Sequence, residues 1–190
     1  TITSNGNTPS VAIAQPLPLT CSRTTVTLDA SASTPVPSAT VTYAWVASNG
    51  GVIDSGANTA RPVVSSVGRY TLTITDVASG CPTPSFIDVI NDLTKPTLVM
   101  GAPSGKINCA VKSVTVPTTG SSVTDATTTY NYDWKSSTGA SVGNTPTLTA
   151  TAADTYTLAI TNTTNGCSQT GTVVVDSDIT DPKSIIASVV

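Results

Sequence analysis

The sequence predicts an all-β protein made of two tandem copies of one seven-stranded β-sandwich, and three observations support this prediction. Short segments in which apolar residues alternate with threonine are separated throughout the chain by Gly, Pro, Ser and Asn. No long stretch has the periodicity of an amphipathic helix. The 190-residue chain also repeats itself with a period of about 87 residues.

Each copy contains the same landmarks: a cysteine, a Tyr-Xaa-Trp tripeptide, a Tyr-Xaa-Leu-Xaa-Ile strand, a second cysteine and an Asp-Xaa-Xaa-Xaa-Pro linker. The first copy has Cys21, Tyr43 to Trp45, Tyr70 to Ile74, Cys81 and Asp92 to Pro96, and the second has Cys109, Tyr132 to Trp134, Tyr156 to Ile160, Cys167 and Asp178 to Pro182. We therefore expect the tail of a preceding repeat at 1–8, repeats at 9–95 and 96–182, and the first strand of a following repeat at 183–190.

Seven short strands are predicted in the first copy from the apolar alternation between turn residues. The most regular is Arg69 to Asp76, where Tyr70, Leu72 and Ile74 alternate with threonine and share one face. Seven strands in roughly ninety residues are typical of a sandwich. In chain order the predicted strands are Val11 to Ala14, Thr25 to Ala30, Thr40 to Ala47, Val52 to Ser55, Pro62 to Ser65, Arg69 to Asp76 and Ser85 to Ile90.

The composition argues against several classes of function. The chain has no His, its 11 acidic residues are all Asp and only 10% of its residues are charged. The usual general acids and bases are missing, so we expect no catalytic residues. A net charge of −3 and scattered Lys and Arg argue against a nucleic-acid partner. No apolar run reaches the roughly 18 residues that span a bilayer, so no transmembrane segment is predicted in this fragment.

Four aromatic residues are expected in the two cores. Trp45 and Trp134 are the only tryptophans of their copies and lie in the strand where such sandwiches bury one. Tyr70 and Tyr156 begin the penultimate strand, where a tyrosine hydroxyl can bond to nearby backbone. The alternative is that the tryptophans are exposed platforms for sugar rings.

The four cysteines predict disulfides rather than a metal site, since none forms a Cys-Xaa-Xaa-Cys pair. Repeat symmetry favours Cys21 with Cys81 and Cys109 with Cys167, with all four thiols oxidised. In a seven-stranded sandwich, however, the turns before the second and the last strand lie roughly 25 to 30 Å apart by strand rise. Either the first cysteine lies beside the last strand, or the bridge joins the copies, as Cys21 with Cys167 would.

Three carboxylates near the second linker, Asp176, Asp178 and Asp181, alternate in a way that could supply hard oxygen ligands to Ca²⁺. At the first linker only Asp92 corresponds, to Asp178. Solvated linker charges are the interpretation that we favour. Structural Ca²⁺ at the repeat joints is the one cofactor that the sequence suggests.

One pattern runs through nearly the whole chain: a cysteine before an early strand, Tyr-Xaa-Trp in the third, Gly-Xaa-Tyr-Thr-Leu-Thr-Ile-Thr-Asp in the sixth, and then Gly-Cys. It resembles the PKD-like and immunoglobulin-like repeats of giant cell-surface adhesins from gliding Bacteroidetes bacteria. The second copy has Asp154 and Asn162 where the first has Gly68 and Asp76. The residues that carry the resemblance are Tyr43, Trp45, Gly68, Tyr70, Asp76, Gly80 and Cys81, and Tyr132, Trp134, Tyr156, Gly166 and Cys167.

The resemblance implies two tandem immunoglobulin-like (PKD-like) seven-stranded β-sandwiches in an extracellular protein of the bacterial cell surface. It implies a non-catalytic rod segment for structure and binding display, in an adhesin or a gliding-type surface filament. The implied partners are neighbouring repeats of the same polypeptide and surface polysaccharide or other cell-surface material. Two alternatives are carbohydrate-binding accessory modules of a secreted enzyme, and a filament subunit whose strand Lys183 to Val190 completes a neighbour.

Overall fold

The structure is a computed structural model that describes residues 8–33, 40–118 and 129–179. The chain divides into two compact units, Thr1–Thr94 and Lys95–Val190, next to the boundary expected after residue 95. Residues 1–7 and the strand expected at 183–190 lie outside the described residues. Both units are all-β, and among the described residues no helix is long and apolar enough to cross a membrane.

The first unit is a sandwich of two small antiparallel sheets. One sheet has the order β2 (Val26–Thr27), β5 (Val63–Val64), β4 (Ile53–Ser55). The other has the order β3 (Val41–Ser48), β6 (Gly68–Asp76), β7 (Pro82–Val89). A separate parallel pair joins β1 (Leu19–Thr20) to β8 (Asn91–Asp92). Two facing sheets of short antiparallel strands are the architecture of the immunoglobulin-like sandwich.

The second unit repeats this plan with one change. β9 (Val114–Pro117) pairs with β12 (Thr147–Ala150), and the other sheet has the order β11 (Ser141–Gly143), β10 (Tyr130–Lys135), β13 (Asp154–Asn162), β14 (Ser168–Val175). The register is kept, because Trp45 lies opposite Leu72 and Trp134 opposite Leu158. The change is that β4 pairs with β5, whereas β11 at the equivalent position pairs with β10.

The prediction of the first strand at Val11 to Ala14 was wrong. Ala14 makes a single bridge to Asp29, and the chain then crosses to the other side of the sandwich, where β1 pairs with β8. Pro16 and Pro18 lie in the crossing segment and cannot donate a ladder hydrogen bond. The last long strand begins at Pro82 rather than at the predicted Ser85, and it tolerates prolines because it lies at the sheet edge.

Each unit buries one tryptophan, at the position expected from the sequence. Trp45 is 5% exposed and Trp134 is fully buried. The indole N–H of Trp45 donates to the carbonyl of Thr59, and that of Trp134 to the carbonyl of Thr145, both at 3.0 Å. Because the indole N–H has a partner in both units, the whole ring can be buried without leaving a polar group unpaired.

The two buried tyrosines close a turn with their hydroxyl groups. The hydroxyl of Tyr70 donates to the carbonyl of Ser66 at 2.7 Å, and that of Tyr156 to the carbonyl of Ala152 at 2.9 Å. Both acceptors lie four residues upstream, which is a tyrosine-corner geometry. Burial raises the pKa of Tyr156 above its usual value, so the hydroxyl stays a donor in the neutral range.

The difference between Gly68 and Asp154 has a steric cause. A Cβ atom at Gly68 would lie 2.4 Å from the backbone nitrogen of Gly51, so the first unit excludes a side chain there. In the second unit the carboxylate of Asp154 accepts a hydrogen bond from the N–H of Ser137 at 3.1 Å. The start of β6 or β13 therefore meets the turn after the tryptophan strand in two different ways. In the first unit Gly68 packs against the backbone of Gly51, and in the second the side chain of Asp154 bonds to Ser137.

The turn between the last two long strands is the same in both units. The N–H of Gly80 donates to the carbonyl of Asp76, and that of Gly166 to the carbonyl of Asn162, both at 2.8 Å. Gly80 and Gly166 have φ values of 68° and 72°, in the left-handed region that favours glycine. This geometry explains the Gly-Cys dipeptide that follows the strand in each copy.

The side chains of Asp76 and Asn162 also act alike, except that only one of them titrates. The Oδ1 atom of Asp76 accepts from the N–H of Ala78 at 3.1 Å, and that of Asn162 from the N–H of Thr164 at 2.8 Å. The hydroxyl of Ser79 adds a bond to Asp76 at 2.7 Å. Hydrogen bonds from Ser79 and Ala78 lower the pKa of Asp76.

Replacing Trp45 with Ala should lower the free energy of unfolding of the first unit by about 3 to 5 kcal/mol, because it removes a large buried ring. The matched control is Val46→Ala, since Val46 is the next residue and is 65% exposed; it should change stability by no more than about 0.5 kcal/mol. Denaturant unfolding followed by circular dichroism measures both. Equal stability of the two variants would contradict the core assignment.

Acid should weaken the turn of the first unit and leave that of the second unchanged. The pKa of Asp76 is lowered below the usual 3.8, so its contribution is present above about pH 4 and is lost as the pH falls through the depressed value. In NMR spectra, the chemical shift of the Ala78 amide should change with pH below 3.8, as the carboxyl of Asp76 is protonated. The chemical shift of the Thr164 amide should not change in this way. Asp76→Asn should abolish the Ala78 titration, and a titration that survived it would show that another group is responsible.

Candidate functional site

The outward-facing side of the β3–β6–β7 sheet in the first unit, which we call the outer face, is the best candidate for a functional surface. Along β6 the residues alternate, with Tyr70, Leu72 and Ile74 buried and the residues between them facing outward. The outward residues come from three neighbouring strands in register: Thr42, Ala44, Val46 and Ser48, then Arg69, Thr71, Thr73 and Thr75, then Pro82, Pro84, Phe86 and Asp88.

A cluster of apolar and charged side chains stands out on this threonine-rich surface. Arg69 lies opposite Asp88, and its guanidinium makes two bonds to that carboxylate, both at 2.9 Å. The same guanidinium lies over the ring of Phe86, 3.9 Å from its centroid. Val46 is on the neighbouring strand, on the far side of Thr71. Phe86 is 54% exposed, and it is the only phenylalanine of the chain.

The ion pair orients this cluster rather than stabilising the fold. The hydrogen bonds that Arg69 donates to Asp88 lower the pKa of the carboxyl and raise the pKa of the guanidinium. Both groups are charged throughout the neutral range. Exposed ion pairs contribute little to folding, but a bidentate pair fixes the plane of the guanidinium, here against the aromatic ring. The result is a preformed stack of a guanidinium on an aromatic ring, on an otherwise threonine-rich surface.

The second unit keeps the inward-facing Tyr-Xaa-Trp and Tyr-Xaa-Leu-Xaa-Ile residues of this sheet and lacks the cluster. At the positions equivalent to Val46, Arg69, Phe86 and Asp88 it has Lys135, Thr155, Thr172 and Val174. Lys135 lies 3.5 Å from the carboxylate of Asp133, so this outer face carries a charged pair without an aromatic ring. The repeated landmarks of the sequence are buried residues, so they did not reveal the cluster. A comparison of the outward-facing positions between the copies could have found it.

The prediction that all four cysteines are oxidised, with bridges inside each copy, was wrong. Cys21 and Cys167 are disulfide-bonded, while Cys81 and Cys109 are free thiols. Each predicted bridge within a copy needs one of the free cysteines, so neither bridge is present.

Strand geometry explains why the two cysteines of one copy do not bond. Cys21 directly follows Thr20, which pairs with Asp92 in β8, just beyond the far end of the last long strand, β7. Cys81 lies at the near end of that strand, just before Pro82. The two ends are roughly 30 Å apart by strand rise, whereas a disulfide needs Cα atoms within about 7 Å.

The carboxylates predicted to bind Ca²⁺ are described only in part. Asp176 lies 3.8 Å from the ammonium of Lys106, and the N–H of Asp178 donates to the carbonyl of Ile107 at 2.8 Å. Asp181 lies outside the described residues. Among those that are described, no group of three or more Cys or Asp side chains could hold a metal ion. Ca²⁺ binding by this trio stays a prediction.

A shallow groove of about 390 Å³ lies where the chain crosses between the sheets of the first unit. Gln15, Pro16 and Leu17 line one side, and Thr25 to Thr27 line the other. After the bridge between Ala14 and Asp29, the crossing segment no longer pairs with β2, and the groove lies between the two. Arg23 and Asp29 also line the groove.

Comparisons with known proteins add general likenesses. No protein-family model matches the chain, and no curated protein matches it. The chain is similar to a structure of three N-terminal domains of the highly immunogenic outer capsid protein (Hoc) of bacteriophage RB49, with 16% identity, a TM-score of 0.46, and coverage of 90% of this chain and 59% of that one. It therefore spans less than two thirds of that structure.

Two further structures are similar over most of this chain. One is the amphioxus IgVJ-C2 molecule, with 10% identity and a TM-score of 0.32 over 88% of this chain and 96% of that one. The other is the BSP domain of a biofilm-associated protein, with 13% identity and a TM-score of 0.27 over 90% of this chain and 30% of that one. The assignment of the fold therefore rests on the chain's own strand order and register.

Proposed function

We propose that this chain is a non-catalytic structural and binding-display segment of a repetitive extracellular protein, an adhesin or surface filament of a bacterial cell. The modules supply a repeated scaffold, and their outer faces supply the contacts. The observation that carries the proposal is that the two units share the buried tryptophan, the tyrosine corner and the Gly-Cys turn but present different outer faces.

The shared part of the two units is the part that folding requires. The buried tryptophan with its bonded indole, the tyrosine corner and the Gly-Cys turn all recur. The residues of the outer face differ and lie outside the core. The first unit has Arg69, Phe86 and Val46 where the second has Thr155, Thr172 and Lys135. An exposed aromatic and apolar pair of side chains that only one unit presents supports a role in contacts with other molecules.

Two chemical features support an extracellular location and a role without catalysis. Disulfide-bonded cysteines persist in oxidising compartments, which favours export from the cell. The chain has no His and no Glu, and the buried tyrosines serve the turns. General acid–base catalysis would therefore lack its usual groups.

The sugar-binding alternative has less support. Both tryptophans, which were its candidate platforms, are buried. The exposed aromatic ring of Phe86 has one face covered by the guanidinium of Arg69, so only its edge and its other face are open to a ligand. The filament alternative depends on Lys183 to Val190, which lie outside the described residues.

Labelling of intact cells that make the parent protein tests the location. Fab fragments raised against the 190-residue chain should label those cells without permeabilisation. Labelling that appears only after permeabilisation would contradict surface display.

Competition for adhesion tests the outer face. The soluble chain should reduce attachment of the same cells to a surface, whereas the double variant Val46→Lys, Phe86→Thr should compete less. These substitutions introduce the second unit's own residues, Lys135 and Thr172, so the scaffold should tolerate them and the melting temperature should stay close to that of the parent. The matched control is Thr42→Ser on the same face. Equal competition by the parent and the double variant would rule out this face as the contact surface.

A further inference from the structure

The bonding states of the four cysteines form a complementary pattern. Each unit has a loop cysteine, Cys21 or Cys109, and a hairpin cysteine, Cys81 or Cys167. In the first unit the loop cysteine is bonded and the hairpin cysteine is free; in the second unit the loop cysteine is free and the hairpin cysteine is bonded. The two unused thiols are thus one of each kind, and an unpaired cysteine in an exported protein points to pairing with another chain or module.

The free hairpin cysteine has the same backbone geometry as its bonded counterpart. The carbonyl of Cys81 accepts from the N–H of Asp76 at 3.3 Å, and the carbonyl of Cys167 accepts from the N–H of Asn162 at 2.9 Å. Burial differs, because bonded Cys167 is fully buried while free Cys81 is half-exposed. The hairpin of the first unit therefore has the backbone geometry of the bonded hairpin, and its cysteine is available to form a disulfide.

The free loop cysteine likewise lies in the same turn as its bonded counterpart. Before Cys21, the N–H of Thr20 donates to the carbonyl of Arg23 at 2.8 Å; before Cys109, the N–H of Asn108 donates to the carbonyl of Val111 at 2.9 Å. In return, the N–H of Arg23 donates to the hydroxyl oxygen of Thr20 at 2.9 Å, and the N–H of Val111 donates to the side-chain Oδ1 of Asn108 at 2.7 Å. Cys109 is exposed.

We propose that Cys81 and Cys109 are attachment sites for further copies of this module. Cys81 would bond to the loop cysteine of another copy, and Cys109 to the hairpin cysteine of another copy. This inference rests on the repetitive array proposed above. Each module would then be held to its neighbours by disulfides as well as by the polypeptide.

The chemistry is thiol–disulfide exchange with a small-molecule disulfide such as oxidised glutathione. The thiolate of Cys81 attacks one glutathione sulfur, which forms a mixed disulfide and releases one glutathione. The loop thiolate of the neighbouring copy then attacks the Cys81 sulfur and releases the second glutathione. Two protein thiols are oxidised, and one glutathione disulfide is reduced to two thiols.

Thiol counting is the first test. The monomeric 190-residue chain, separated from any disulfide-linked multimers and unfolded without reductant, should show two reactive thiols, and peptide mapping should place them at Cys81 and Cys109. Four reactive thiols, none, or a free Cys21 or Cys167 would overturn the proposal.

Mixing two variants tests the specificity of the pairing. Cys81→Ser leaves Cys109 free, and Cys109→Ser leaves Cys81 free, so together they present one loop and one hairpin thiol. Equimolar variants at about 1 mM, near the effective concentration that a short linker provides, are equilibrated with oxidised and reduced glutathione. The mixture should form a reducible heterodimer with a Cys81–Cys109 bridge, and either variant alone should stay monomeric.

Two outcomes would overturn the proposal. Dimers of either variant alone, in the same yield as the mixture, would show that these are unselective surface thiols. A mixture that stays monomeric would show that hairpin and loop do not recognise each other. Neither outcome depends on cell labelling or competition for adhesion, so a failure here is distinguishable from a failure of the proposed function.

Discussion

In each unit, the hydrogen bond from a buried indole ties the strand that carries the tryptophan, β3 or β10, to a loop that leads into the facing sheet. The partner carbonyls, of Thr59 and Thr145, belong to the loops before β5 and β12. The chain is only 4% aromatic, so most of the remaining core is aliphatic. An indole N–H cannot be buried unpaired without a large cost. The position of the tryptophan therefore fixes the register of its strand and the path of that loop together.

This bond explains how the two copies tolerate a difference in their sheets. The short strand before the loop joins β5 in the first unit and β10 in the second. In both units the loop that follows places the carbonyl of an equivalent threonine, Thr59 or Thr145, at the indole N–H of the buried tryptophan. Gly143 in β11 lies beside the tryptophan, where an added Cβ would be 3.6 Å from the ring. A three-residue edge strand has few hydrogen bonds to lose, so it can change sheets while the core stays the same.

The sequence predicted features that depend on local pattern, and it did not predict features that depend on distant partners. The alternation from Tyr70 to Ile74 defined a strand and its buried face, and the Tyr-Xaa-Trp tripeptides marked the strands that carry the buried tryptophans. The parallel pairing of Leu19–Thr20 with Asn91–Asp92 joins opposite ends of a unit, and no local pattern reveals it. Cysteine bonding also depends on distance, and repeat symmetry suggested the wrong partners. The Arg69–Phe86 stack was missed because alternation identifies outward positions without showing which of them meet.

The parallel pair of β1 and β8 has a mechanical consequence. β1 lies near the start of the first unit and β8 near its end, and both run in the same direction. A stretching force applied to the two ends of the unit would pull these strands past each other along their length. The backbone bonds between them, including that from Leu19 to Ile90 at 2.9 Å, would then be loaded in shear and would have to break together. An antiparallel hairpin pulled from its open end would instead lose its bonds one at a time.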